Sequence, residues 1–165
     1  MATRKKKTAR LTHVNEAGEM HMVDVGDKSA TRRVAVAEAK VKLGAAALNA
    51  LAGRSAAKGD VLAAARLAGI GAAKKTSELI PLCHPIPLSR AHVDLKVERW
   101  GVRVRATAET VAATGVEMEA MTAASVAALT LYDMLKALER GITIEAVRLI
   151  EKRGGRSGTW KRRGA

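Results

Sequence analysis

Asp133 and Lys136 interrupt an otherwise small and apolar helical pattern that runs from Gly115 to Leu138. Because they are three residues apart, their side chains share one face of the predicted helix. A lysine held by a carboxylate at the edge of a pocket can act as a general acid or base once partial burial shifts its pKa. The alternative interpretation is an ion pair on the helix surface, which contributes little to stability.

Glu117 and Glu119 lie at the other end of the same predicted helix. Thr114 and Glu117 have the spacing of a capping box, and Glu119 in the first turn suits the helix dipole, so both carboxylates also have structural interpretations. Glu119 and Asp133 are 14 residues apart in the sequence, or about 21 Å along a straight helix. One helix therefore cannot place both ends in one small pocket, whereas two antiparallel copies packed across a dimer axis could.

Cys83 and His84 lie in a loop that Pro81, Pro85 and Pro87 make stiff and extended. Adjacent residues in an extended chain rarely point at each other, which argues against a cysteine–histidine nucleophile. Two interpretations of His84 stay open, a contact to phosphate or substrate and a hydrogen-bonded structural histidine. The single cysteine gives no ligand spacing for a structural zinc ion.

Several other groups are suited to an anionic ligand. Lys58 precedes a helix that Asp60 can cap, and helix N-termini attract anions. Lys74 lies near the end of that helix, where a cation also favours the dipole. The glycine-rich run Gly154–Gly158 lacks the Walker spacing and a following helix, so it predicts a flexible tail. Taken together, these residues predict a polyanionic small molecule as the ligand.

The elements that must position these residues follow from alternation and helical periodicity. We predict strands over 20–25, 33–43 and 142–151, a hairpin with strands over 92–99 and 102–109, and helices over 45–52, 60–80 and 115–138. Pro81 should end the second helix and Gly141 should close the third. This order predicts an α+β sandwich with helices on one face of a mostly antiparallel sheet.

The net charge of +13 is concentrated at the two ends of the chain. Residues 1–10 carry five Lys/Arg and no acid, residues 152–165 carry six and no acid, and 11–151 carry 18 basic and 16 acidic residues. We therefore predict a basic disordered arm over 1–10, one folded domain over 11–151 and a basic tail over 152–165. Such tails bind polyanions weakly and nonspecifically, so a nucleic-acid-binding module is the alternative function.

The composition also restricts compartment and partner. No apolar run approaches the ~18 residues of a membrane span, and the start of the chain lacks the apolar segment of a secretory signal. One cysteine cannot form an intrachain disulfide, so a cytoplasmic protein is expected. With one tyrosine, two tryptophans and no phenylalanine, the chain offers few rings for stacking single-stranded bases.

Four long strings of the sequence are far more specific than any short motif: LTHVNEAGEMHMVDV, KGDVLAAARLAGIGAAKKTSELIPLCHPIPL, TGVEMEAMTAASVAALTLYDMLKAL and VRLIEKRGGRSG. They resemble the cyclic pyranopterin monophosphate synthase family, molybdenum cofactor biosynthesis protein C. The resemblance implies a ferredoxin-like α+β subunit and a homohexamer of three dimers with active sites at dimer interfaces. It implies a lyase that converts 3′,8-cyclo-7,8-dihydroguanosine 5′-triphosphate to cyclic pyranopterin monophosphate and pyrophosphate.

The resemblance also implies roles for individual residues. Asp133 and Lys136 match the active-site pair of the family, with Lys136 as general acid or base and Asp133 orienting it. Lys58 matches a second essential lysine. The remaining matched positions are expected to contact substrate: Leu82, Cys83, His84, Met118 and Glu119, with Glu117, Lys74, Arg33 and Lys152 as further pocket positions.

The mechanism implied by the resemblance needs cations against the departing pyrophosphate and proton transfers during ring rearrangement. We expect Lys58 and Lys74 to cluster with Lys136 and lower its pKa, with Asp133 partly opposing the shift. No redox cofactor is required and no dedicated metal cage is visible, so any Mg²⁺ would arrive with the triphosphate. A catalytically silent oligomeric scaffold is the third possible class, and the charged pair inside an apolar helix argues against it.

Overall fold

A computed structural model describes residues 12–15, 17–53 and 60–164. Five strands and four helices make up the described chain. In order, they are β1 (Thr31–Lys42), α1 (Ala45–Ala52), α2 (Val61–Ala73), α3 (Thr76–Leu79), β2 (Arg90–Glu98), β3 (Gly101–Ala112), α4 (Glu117–Leu135), β4 (Thr143–Arg153) and β5 (Trp160–Lys161).

All paired strands are antiparallel, and they form one sheet in the order β2-β3-β1-β4-β5. Along the chain, one strand is followed by helices, a hairpin, a helix and another strand. With this order of strands in the sheet, the arrangement is the split βαβ of ferredoxin-like folds. The helices pack on one face of the sheet, chiefly through α2 and α4. The predicted α+β sandwich, including its ferredoxin-like class, is confirmed.

The central strand β1 shows how the sequence specifies this packing. Ala35, Ala37 and Ala39 are fully buried and alternate with residues of the opposite face. Because strand side chains alternate between faces, this small-residue stripe lets the helices approach the sheet closely. The alternation that predicted this strand and the hairpin is confirmed.

The alternating segment 20–25 does not form the predicted strand. Met20 makes an isolated bridge with Val14, and the residues after it have no strand partner. Met20 and Met22 are exposed, so burial in a sheet is not the cause of the alternation. Val23 and Val25 of this segment instead line a cavity.

The predicted helix over 60–80 divides into α2 and α3. Asp60 caps α2 as expected, since its side chain accepts a hydrogen bond from the backbone N–H of Ala63. The helix ends at Ala73 because the buried hydroxyl of Thr76 donates to carbonyls of the last turn, those of Ala72 and Ala73. Competition of this kind from a threonine hydroxyl weakens helix continuation.

The helix α4 differs from its prediction at both ends. Its N-cap is Val116, without a side-chain capping hydrogen bond, so the predicted Thr114–Glu117 capping box is wrong. The helix ends at Leu135, and its C-cap Lys136 has right-handed helical backbone angles. Gly141 does not have the positive φ of a glycine that closes a helix. None of the described helices combines the length and the hydrophobicity that a bilayer crossing requires.

The C-terminal part of the sheet extends beyond its predicted end. Lys152 and Arg153 belong to β4, and Trp160–Lys161 pair with Glu151 and Lys152 as β5. The boundary that we predicted between 151 and 152 therefore falls inside a strand. The predicted arm over 1–10 lies outside the described residues.

The face of the sheet away from the helices carries a buried ion-pair cluster. The carboxylate of Glu38 is 3% exposed and accepts hydrogen bonds from Arg103 at 3.1 Å and Arg148 at 3.0 Å. Burial alone would raise the pKa of Glu38, but the two guanidinium groups lower it below its ordinary value. The guanidinium of Arg103 also lies over the ring of Trp100.

Close packing of α2 on α4 gives a prediction for Gly69. A β-carbon there would lie 2.8 Å from the carbonyl oxygen of Ala123, whereas one at Gly71 in the same helix would meet nothing within 4 Å. We expect Gly69→Ala to destabilise the chain by about 1–3 kcal/mol through overpacking. Gly71→Ala should instead stabilise it by about 0.5–1 kcal/mol through helix propensity. Denaturant unfolding of both variants checks this, and equal effects would contradict it.

Candidate active site

A cavity of about 420 Å³ lies where the start of α4 meets the loop after α3, the start of β1, the end of β4 and the segment before β1. It contains most of the predicted substrate positions. Its lining includes Arg33, Leu82, Cys83, His84, Glu117, Met118, Glu119 and Lys152. These side chains come from four separate parts of the sequence, so the fold itself assembles the cavity.

The inner face of the sheet supplies two cations to this cavity. Lys152 is directly opposite Ala35 in the register of β1 with β4, so it shares the face that packs on the helices. Its ammonium lies 3.5 Å from the Glu117 carboxylate at the start of α4 and also contacts the hydroxyl of Ser157. Arg33 precedes Ala35 on the same face of β1. Glu117 thus binds a lysine instead of capping its helix.

Glu119 is the buried acid of the cavity, with 5% of its surface exposed. Burial raises the pKa of its carboxyl group, and the nearby charge of Glu117 adds to that shift. Burial likewise raises the pKa of the Cys83 thiol, helped by the charge of Glu119. Because the thiolate is the reactive form of cysteine, this environment disfavours nucleophilic catalysis by Cys83.

His84 forms a structural hydrogen bond and also lines the cavity. Its Nε2 lies 2.8 Å from the carbonyl oxygen of Val23, and the ring also lines the cavity. Since a carbonyl oxygen can only accept, Nε2 must carry a proton. In the neutral ring Nδ1 is then an acceptor. The two interpretations of His84 from the sequence are therefore compatible.

The segment before β1 forms a wall of the cavity that sequence reasoning missed. Thr12, His13, Val23, Val25 and Lys28 line it from this side. The first four lie in a string that carried the family resemblance, which was the available signal. Residues 20–25 were instead interpreted as a strand, and no residue of the segment was assigned to the site. Thr114 and Gly115, which also line the cavity, were considered only as helix-start residues.

Asp133 and Lys136 are not in this cavity. The Lys136 ammonium lies 2.7 Å from the Asp133 carboxylate, and their side chains are 51% and 60% exposed. They lie at the opposite end of α4, where Asp133 is about 21 Å from Glu119 along the helix at 1.5 Å per residue. The Asp133 carboxylate raises the pKa of Lys136, so our expectation of a lowered pKa is wrong for the single chain.

Of the two other predicted lysines, the structure describes Lys74, which does not line the cavity. Lys74 is exposed and caps the C-terminal end of α2. Lys58 lies outside the described residues, so its position relative to Lys136 is untested. Among the residues that the structure describes, no group of three or more His, Cys, Asp and Glu side chains could hold a metal ion.

The His84 bond gives a testable prediction. Among the described residues it is the side-chain hydrogen bond that joins the segment before β1 to the loop after α3. Losing about 1 kcal/mol of hydrogen bonding should speed local opening of residues 20–28 roughly fivefold in His84→Ala. Hydrogen exchange by mass spectrometry measures this opening. His84→Gln, which keeps a side-chain N–H, should exchange more slowly than His84→Ala, and exposed His92→Ala should match the wild type.

Comparison with known proteins places the chain in a family. The model of the MoaC family matches residues 22–155. A cyclic pyranopterin monophosphate synthase from Thermomicrobium roseum is 57% identical over 156 residues, which covers 93% of this chain and 94% of the relative. Proteins of the same name from Novosphingobium aromaticivorans and a Nostoc species are 55% and 54% identical and cover 92% and 94% of this chain. The match spans 96% of the Novosphingobium protein and 94% of the Nostoc protein. The chain therefore belongs to the MoaC family.

Proposed function

We propose that this chain is a cyclic pyranopterin monophosphate synthase, an enzyme of molybdenum cofactor biosynthesis. The reaction converts 3′,8-cyclo-7,8-dihydroguanosine 5′-triphosphate to cyclic pyranopterin monophosphate and pyrophosphate. The observation that carries the proposal is the 420 Å³ cavity, which collects residues assigned to substrate by family resemblance. Relatives that carry this name match nearly the full chain at more than half identity.

The charges of the cavity suit the two ends of such a substrate. Lys28, Arg33 and Lys152 line the cavity and would attract the triphosphate. Glu119 would repel phosphate when charged, so its buried carboxyl group suits the N–H groups of the ring system. The cations would also stabilise the charge that develops on the departing pyrophosphate.

The acid–base pair must reach this cavity from elsewhere. Asp133 and Lys136 are too far along α4 to join Glu119 in one chain. We propose that a second copy supplies them, with α4 packed across a dimer axis so that each cavity faces its neighbour's pair. Exposed Leu129 and Met118 on α4 are available for such packing. We further propose the hexamer of three dimers that the family resemblance implies.

The remaining properties follow as proposals. Lys58 is proposed as a second essential lysine, next to the Asp133–Lys136 pair in the assembled site. No resident cofactor is proposed, and Mg²⁺ would enter only with the triphosphate. The single cysteine favours a reducing compartment, so we propose the cytoplasm.

The direct test measures pyrophosphate release and pterin formation from the cyclised GTP derivative. The wild type should form both products in equal amounts. Lys136→Ala, compared at the same oligomeric state, should lose activity. Pyrophosphate release by both proteins would support the proposed reaction but show that the general acid or base is a residue other than Lys136. No release by the wild type, with the fold intact by circular dichroism, would overturn the proposal.

A further inference from the structure

A second cavity of about 410 Å³ opens beside the first one. Both cavities are lined by Lys28 and Arg33, so the two spaces adjoin at these side chains. The second cavity adds Arg156 and Gly155 from the turn after β4, and Asp27, Ser29 and Thr31 from the approach to β1. Sequence reasoning assigned none of these added residues to a site.

The cations of the second cavity differ from the other arginines of this end of the sheet. Arg32 and Arg90 both pair with Glu109, and Arg153 pairs with Glu151. In contrast, the side chains of Lys28, Arg33 and Arg156 form no hydrogen bond or ion pair with any residue that the structure describes. The Nε of Arg33 is also buried without a partner. Three cations against the carboxylate of Asp27 leave an excess positive charge in the cavity.

The turn after β4 is built around one of these cations. Gly154 and Gly155 both have positive φ, at 95° and 71°. A β-carbon on Gly155 would lie 1.6 Å from the Nη1 of Arg33, so only glycine lets the guanidinium lie against the backbone here. The backbone N–H of Gly158 closes the turn on the carbonyl of Gly155. The predicted flexible tail is therefore a defined turn that carries Arg156 to the cavity.

We propose that this second cavity binds a pyrophosphate group through Lys28, Arg33 and Arg156. The group is either the outer two phosphates of a bound triphosphate or the free product after cleavage. Arg33, which lines both cavities, would contact the phosphate chain where it passes from one to the other. Guanidinium groups bind phosphate oxygens in pairs, and an ammonium adds a point charge. The link to turnover rests on the proposed function, whereas binding of the anion does not.

The first experiment titrates the full chain with inorganic pyrophosphate by isothermal calorimetry at physiological ionic strength. Arg156→Gln should weaken binding about tenfold or more, because a hydrogen bond to a charged group is lost. Arg140→Gln is the matched control, since it removes the same charge far from the cavity. Arg140 lies just before β4, whose first residue, Thr143, pairs with Lys42 at the end of β1 opposite to Arg33. Equal affinities of these two variants for pyrophosphate would overturn the proposal.

The second experiment separates the two sources of the pyrophosphate group. If the outer phosphates of the substrate occupy the cavity, Arg156→Gln should raise KM about as much as it weakens pyrophosphate binding. If only the product binds there, KM should stay and inhibition by added pyrophosphate should weaken. A variant with normal KM and normal inhibition would overturn the proposal. The wild type could also bind pyrophosphate, with weaker binding in Arg156→Gln, and yet turn over no substrate. That result would contradict the proposed function and support the pyrophosphate site.

Discussion

Replacing Lys136 by alanine is expected to slow pyrophosphate release by about 10²–10⁴-fold, the usual contribution of a general acid or base. The stability of the chain should change little, because the Lys136 side chain is half exposed and contacts Asp133 on the same helix face. Steady-state kinetics and thermal unfolding of the purified variant measure the two effects. A large loss of stability together with the loss of activity would contradict this assignment.

A mixing experiment tests where Lys136 acts. Arg33→Ala removes a cation of the cavity, and Lys136→Ala removes the proposed general acid or base at the C-terminal end of α4. If each cavity is completed by the partner's pair, unfolding and refolding the two inactive variants together should restore about a quarter of the wild-type activity. That fraction follows because half of the random dimers are mixed and each has one intact site. No recovery, with subunit exchange verified by mass spectrometry, would exclude a shared site.

Glu38→Gln is expected to cause the largest loss of stability among isosteric changes. It removes the buried charge that holds Arg103 and Arg148, so that Arg148 loses its carboxylate partner and Arg103 keeps only its ion pair with Glu98. Removing one partner from a buried pair costs about 3–5 kcal/mol, and the partial exposure of both arginines reduces the expected loss to about 2–3 kcal/mol. Urea unfolding at neutral pH measures it.

The same variant should change how stability depends on pH. The two arginines lower the folded-state pKa of Glu38 below its unfolded value. The resulting stabilisation is therefore present at neutral pH and is lost as the pH falls through the folded-state pKa. Wild type and Glu38→Gln should converge in stability in acid. Exposed Glu145→Gln, whose carboxylate lies 3.9 Å from Lys42, is the control and should change stability little. A constant gap between wild type and Glu38→Gln across pH would contradict the ion-pair explanation.

The parts of the fold that sequence predicted well have strong periodic signals. The alanine stripe of β1 and the alternation of β2 and β3 come from burial of one sheet face, which periodicity detects directly. Residues 20–25 have the same alternation but do not join the sheet, and the pattern alone cannot distinguish the two cases. The strand β5 has two residues and depends on pairing with β4, so no local signal predicts it.

The sequence predicted which residues belong to the candidate site where a family string contained them. It did not predict properties that depend on tertiary contacts around those residues. Cys83, His84 and Glu119 came from strings, and the fold brings them together in one cavity. The separation of Glu119 from Asp133 followed from helix length alone. The direction of the Lys136 pKa did not, because it depends on which charges lie near the ammonium in three dimensions. Lys28 was missed because no local pattern distinguishes it from any other surface lysine.

The position of β5 has a practical consequence for producing the protein. The family match ends at residue 155, but Trp160–Lys161 pair with β4, and the backbone and side chain of Arg162 bond to the carbonyls of Ile150 and Leu149. A recombinant version that ends at residue 155 would contain the whole family match but expose the edge of β4 beside Lys152. Unpaired strand edges invite aggregation. Expression should therefore keep residues 156–164, and a purification tag should be fused at the other end of the chain.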